Sequence, residues 1–84
     1  MYELRLVRSA RKELEALPDA VLARVARHLD ALQTTPRPSG CKKLRGATDL
    51  WRVRVGDYRI IYHVDDGAQV IEVQAIRDRK DVYG

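Results

Sequence analysis

The run Leu50-Trp-Arg-Val-Arg-Val-Gly-Asp-Tyr-Arg-Ile-Ile-Tyr-His-Val-Asp65 alternates apolar with basic or polar residues through most of its length. Alternation with a period of two marks strands that have one buried and one open face. Gly56-Asp57 splits the run and reads as a two-residue turn, with glycine supplying a positive φ. A third strand lies in Val70-Ile-Glu-Val-Gln-Ala-Ile-Arg-Asp-Arg-Lys-Asp-Val-Tyr83, after a turn signalled by Asp66-Gly67 that extends to Ala68 or Gln69. Both connections are too short for crossover helices, so the three strands form an antiparallel meander.

Parity then sorts the side chains. Trp51, Val53 and Val55 share one face of the first meander strand, and Arg52 and Arg54 share the other. On the second strand Tyr58, Ile60, Tyr62 and Val64 are the core set, opposed by Arg59, Ile61 and His63. On the third, Ile71, Val73 and Ala75 are the apolar set, opposed by Glu72 and Gln74. Arg77 falls on the core parity of that strand, which places it past the strand end, where the chain has left the sheet. Arg59 and Arg77 are both expected outside the core.

Upstream, Tyr2 to Val7 alternates weakly and reads as a short strand. Ser9 suits an N-cap. Ala10, Leu14 and Leu17 follow at helical spacing. Pro18 ends this helix and suits the first turn of a second, whose stripe is Val21, Val25, Leu29 and Leu32, running to about Gln33. Thr35-Pro-Arg-Pro-Ser-Gly-Cys41 is a loop by its Pro and Gly content. The fold class is therefore α+β: an early strand, a two-helix antiparallel hairpin, then a three-stranded antiparallel meander, with the helices packed on one sheet face.

The 84 residues form a single domain, 1–84. No apolar run approaches the roughly 20 residues that span a bilayer. The opening residues hold no apolar h-region, so no secretory leader is expected. The single cysteine, Cys41, makes no internal disulfide and suits a reducing cytosol; it reads as a spare thiol. A cytoplasmic protein without membrane contact is expected.

Net charge is +4, which alone says little. The placement says more. Arg52, Arg54 and Arg59 share one sheet face, with the Lys42-Lys43-x-Arg45 run just before them. An ordinary solvated face accounts for any one of these; a polyanion accounts better for the set. Guanidinium groups stay charged and present a planar fork that matches phosphate oxygens. They also stabilise the charge that builds on phosphorus when a phosphodiester is attacked. His28 and His63 lie far apart, with no acidic cluster facing them, so no metal or cofactor is expected. His28 reads as structural and His63 as a surface residue. Trp51 and Tyr62 read as core, and Tyr83, taken alone, as a tail residue.

The strings Cys41-Lys-Lys-Leu-Arg-Gly46, Leu50-Trp-Arg-Val-Arg-Val-Gly-Asp-Tyr-Arg-Ile-Ile-Tyr62 and Ile76-Arg-Asp-Arg-Lys-Asp-Val-Tyr83 resemble the RelE branch of the RelE/ParE superfamily. These are toxins of type II toxin–antitoxin pairs, and the resemblance covers nearly the whole chain. It implies a ribosome-dependent endoribonuclease, an mRNA interferase, that cuts mRNA in the ribosomal A site by metal-independent attack of the ribose 2′-OH on the adjacent phosphate. The implied catalytic set is Arg52, Arg54, Arg59, Arg77 and Tyr83. Arg54 and Arg59 hold the phosphate in this scheme, and Arg77 stabilises or protonates the leaving oxygen. Tyr83 orients or deprotonates the 2′-OH, or stacks on a base. Lys42, Lys43, Arg45, Arg79 and Lys80 are candidate RNA contacts. The best-known RelE enzymes carry lysines where this chain has Arg52 and Arg54. Arginine does not release its proton as lysine can, so the departure bears on a general base and leaves phosphate binding intact. The implied partners are a RelB-like antitoxin, the ribosome and mRNA. The alternative is a ParE-like inhibitor of DNA gyrase that cuts nothing, against which the Arg77/Tyr83 pair argues. A third reading is an inactive scaffold that serves only its antitoxin.

Overall fold

The computed structural model describes residues 1–44, 46 and 49–78. Its elements are β1 (Glu3–Leu6), α1 (Arg8–Glu15), α2 (Asp19–Leu32), β2 (Lys42–Lys43), β3 (Leu50–Val55), β4 (Tyr58–Asp65) and β5 (Val70–Asp78). The strands form one mixed sheet in the order β1-β5-β4-β3-β2. The expected antiparallel meander is its centre, β3 to β5. Two edge strands extend it: β1 lies parallel to β5, and β2 pairs antiparallel with β3. The sequence reading left β2 in the connection because two residues are too few to show alternation.

α1 begins at Arg8, with Val7 as its N-cap and no side-chain capping bond. Ser9 therefore sits inside the first turn and is not the cap. Pro18 is the N-cap of α2 and not part of its first turn; its carbonyl still accepts from the N–H of Leu22 at 2.8 Å. Asp19 follows, an acidic group in the first turn, where the helix dipole favours it. Both helices put their stripes on one face of the sheet. Ala10, Val25, Leu29 and Leu32 meet Val53, Val55, Ile60, Tyr62, Val64, Ile71, Val73 and Ile76 in a single core. Fully burying one Leu, Ile or Val side chain contributes about 1.5–3 kcal/mol, so this layer carries most of the fold's stability.

The β3–β4 turn is the two-residue Gly56-Asp57 connection, closed by the Val55↔Tyr58 pair. Gly56 has φ +59, and an added Cβ would lie 3.2 Å from a terminal nitrogen of Arg24 on α2. The turn therefore needs glycine for its conformation, while the Arg24 tip is free to give way. The β4–β5 loop is Asp66 to Gln69, between the paired Asp65 and Val70, as the sequence predicts.

One irregularity changes the sorting of side chains. In the β4–β5 ladder Tyr62 opposes Val73, yet the next residue, Ile61, opposes Ala75. Gln74 is the extra residue of a bulge, and a bulge of one residue reverses parity beyond it. Ala75 consequently leaves the core set and stands opposite Ile61, while Ile76 takes the core position opposite Ile60. Arg77 does not lie past the strand end. It is inside β5, directly opposite Arg59.

Candidate nucleic-acid interface

Register places the basic residues in two neighbouring rows on the face away from the helices. Arg54, Arg59 and Arg77 form one row across β3, β4 and β5. Lys42, Arg52, Ile61 and Ala75 form the next, across β2 to β5. Directly opposed residues in an antiparallel pair have Cβ atoms about 4.5–5.5 Å apart, and like charges there are destabilising. A row of three arginines thus breaks a local rule, which folded proteins do mainly where function requires it.

Gly40, Lys42, Arg52, Arg54 and Arg59 line a concavity of about 300 Å³. Arg54 and Lys42 are exposed, Arg52 is half-buried, and Arg59 is only 7% exposed. The expectation that Arg59 lies outside the core is corrected: it is buried, yet it still lines the concavity. Arg77 is exposed as expected. Lys43 pairs with Trp51, so register turns it to the opposite face from Lys42. Arg45, Arg79, Lys80 and Tyr83 lie outside the described residues.

Two devices that the sequence reading missed shape this face. The first is Glu13 on α1. One of its carboxylate oxygens accepts from the N–H of Ile76 at 3.0 Å, and the other is 2.8 Å from Nε of Arg77. Its sequence signal was its place at i+3 from the buried Ala10, on the flank of the helical stripe. The second device is a clamp on the loop that forms the wall of the concavity. Arg37 makes two bonds to Asp66, at 3.2 and 2.8 Å, and its guanidinium lies 5.1 Å from the centre of the Trp51 ring. Tyr2 donates its hydroxyl to Asp66 at 2.7 Å. The fully buried Tyr62 donates to the carbonyl of Pro36 at 2.7 Å. The loop thereby holds Gly40 and Lys42 at the mouth.

The electrostatics follow from these contacts. Arg37, then Tyr2, hold the Asp66 carboxyl below its ordinary value. The Asp66 contact raises Tyr2. Burial, then neighbouring Cys41, push the Tyr62 hydroxyl well above the usual tyrosine range, so it stays a neutral donor. Trp51 is packed against the core, and its indole N–H is buried without a partner. Trp51 and Tyr62 thus pack in or against the core, as expected, and also serve the clamp, which was not. His63 pairs with Glu72 and Leu50 by register, one row beyond the concavity. His28 is exposed on α2, beside Arg24, Arg27 and Ala31. Among the described residues, no three of His, Cys, Asp and Glu converge as a ligand set. What the face offers chemically is fixed positive charge and guanidinium donors for an extended anion.

Known proteins share this architecture. The archaeal RelE–RelB complex from Pyrococcus horikoshii OT3 superimposes with TM-score 0.83 at 34% identity, covering 93% of this chain and 94% of that one. The intact Escherichia coli RelBE toxin–antitoxin complex gives 0.83 at 28% identity, covering 93% and 96%. By sequence, the toxin RelE of Mycobacterium tuberculosis is 31% identical over 84 residues, 98% of this chain and 86% of its own. These likenesses define the class as RelE-like toxins of type II toxin–antitoxin systems. Residues 4–83 match the family described as ParE toxin of type II toxin-antitoxin system, parDE, and the chain belongs to that family, within the RelE/ParE superfamily.

Proposed function

We propose that this toxin is a ribosome-dependent mRNA endonuclease acting in the cytoplasm through metal-independent 2′-OH attack. The observation that carries the reading is the Arg54–Arg59–Arg77 row beside a concavity lined by Lys42 and Arg52. In the reaction the 2′ oxygen forms a bond to phosphorus and the bond from phosphorus to the 5′ oxygen breaks. The 2′ proton is lost and the 5′ oxygen gains one, leaving a 2′,3′-cyclic phosphate and a 5′-OH. The nucleophile belongs to the substrate, so the protein's part is alignment and charge stabilisation. Arg54 and Arg59 hold the non-bridging oxygens, with Arg52 and Lys42 on the flanking backbone. Arg77 serves the leaving oxygen, and Tyr83 the 2′-OH or a stacked base. Arg52 and Arg54 act as fixed charges, not as bases. The partner is a RelB-like antitoxin that covers the basic face.

The family also bears the ParE name, so gyrase inhibition without cutting is the second reading. One experiment separates them. Purified toxin is added to a translation extract with mRNA ends mapped, and in parallel to a gyrase supercoiling assay. Cleavage confined to translated messages with supercoiling unaffected is expected. Intact mRNA on translating ribosomes, with supercoiling blocked, favours the second reading.

A further inference from the structure

We propose that Glu13 is a positioning residue for Arg77, an inference that rests on the cleavage reading. β1 covers β5 only from Val70 to Val73. Beyond Val7, whose N–H reaches the carbonyl of Val73 at 3.1 Å, the chain turns into α1. The edge of β5 past the Gln74 bulge therefore has no strand partner among the described residues, and an open edge leaves N–H groups to be satisfied. Glu13 accepts the N–H of Ile76 with one oxygen and meets Nε of Arg77 with the other. The carboxylate is thus fixed to the strand backbone before it touches the guanidinium. Bonding at Nε restrains rotation of the guanidinium and leaves the two terminal nitrogens to present to a phosphate oxygen. It also brings a negative charge to the end of a row of three arginines, offsetting the repulsion across the row. Arg77 does not line the concavity in this state; Glu13 sets where its guanidinium stands beside it.

The test uses Glu13→Gln, which keeps an acceptor for Ile76 and removes the charge. Cleavage on programmed ribosomes is followed for wild type, Glu13→Gln, Arg77→Ala and the double variant, with melting curves and the NMR signal of the Arg77 Nε–H recorded for each folded protein that retains the arginine. Glu13→Gln is expected to shift the Nε–H signal and to lower kcat roughly 10- to 100-fold, the order that a small misplacement costs. KM and Tm stay unchanged, and no further loss appears in the Arg77→Ala background. Cleavage at or above the wild-type rate in Glu13→Gln, an unmoved Nε–H signal, or a loss that adds in full to that of Arg77→Ala overturns the inference and leaves the cleavage reading standing. A wild-type protein that cuts no mRNA overturns both.

Discussion

Arg59 and Arg77 are direct cross-strand partners, and the bulge that takes the extra residue, Gln74, out of the ladder lets them pair. Without the extra residue's offset, strict alternation along β5 would send Arg77 to the helix side. With it, the third arginine joins Arg54 and Arg59 on the open face, and Ile76 fills the core.

Deleting Gln74 removes the bulge but keeps every pair on either side of it in register. We expect the deleted protein to fold and to retain cleavage, because parity is what brings Arg77 to the face. Far-UV spectra, melting and a cleavage time course check this. A folded deletion variant that no longer cuts would show that the local twist of the bulge aims Arg77.

Arg59 and Arg77 should separate in stability but not in activity. Each loses a charge-stabilising donor, and Arg59→Ala and Arg77→Ala should each cut roughly 10²–10³-fold more slowly. Arg77 is exposed, so its variant should melt near the wild-type temperature. Arg59 is 7% exposed, so its truncation leaves space under the row and lowers Tm. Equal melting temperatures for the two variants would contradict the buried placement.

The meander, both turns and the helical stripes were legible in the sequence because each rests on a local period or a turn residue. The Arg52/Arg54/Arg59 face was legible for the same reason. The position of Arg77 was not: a bulge arises from pairing between strands and leaves no mark on one strand's alternation. Glu13 was missed because a helix-flank glutamate looks like any solvated one until β1 is seen to stop at Leu6. The two-residue β2 and the Arg37–Asp66–Tyr2 clamp join segments distant in sequence, which no period reports.

The clamp predicts a pH dependence at both ends. Asp66 has a lowered pKa, so its contribution is full above its ordinary value of 3.8 and is lost as pH falls through the lower folded value. Tyr2 has a raised pKa, so its contribution is full below 10.0 and is lost as pH rises through the higher folded value. Asp66→Asn should flatten both limbs of the curve of Tm against pH. An Asp66→Asn curve that parallels wild type would show that the exposed clamp adds nothing measurable.

A RelB-like partner should bind the folded toxin and not the unfolded chain. At a free concentration 100 times its Kd it would add about 2.7 kcal/mol, raising Tm by several degrees. Melting and cleavage with and without the product of an adjacent reading frame check this. A complex that stabilises the toxin and leaves cutting unchanged would contradict an antitoxin that covers the arginines.

The most direct measurement replaces one ribose. An mRNA carrying a single 2′-deoxynucleotide on the 5′ side of the mapped cut is presented to the toxin on programmed ribosomes, beside the all-ribose message. The 2′-OH mechanism predicts that the ribose message yields a 2′,3′-cyclic phosphate and a 5′-OH, and that the deoxy message stays intact at that site. Cutting of the deoxy message at the same position, or ends bearing a 5′-phosphate, would contradict it.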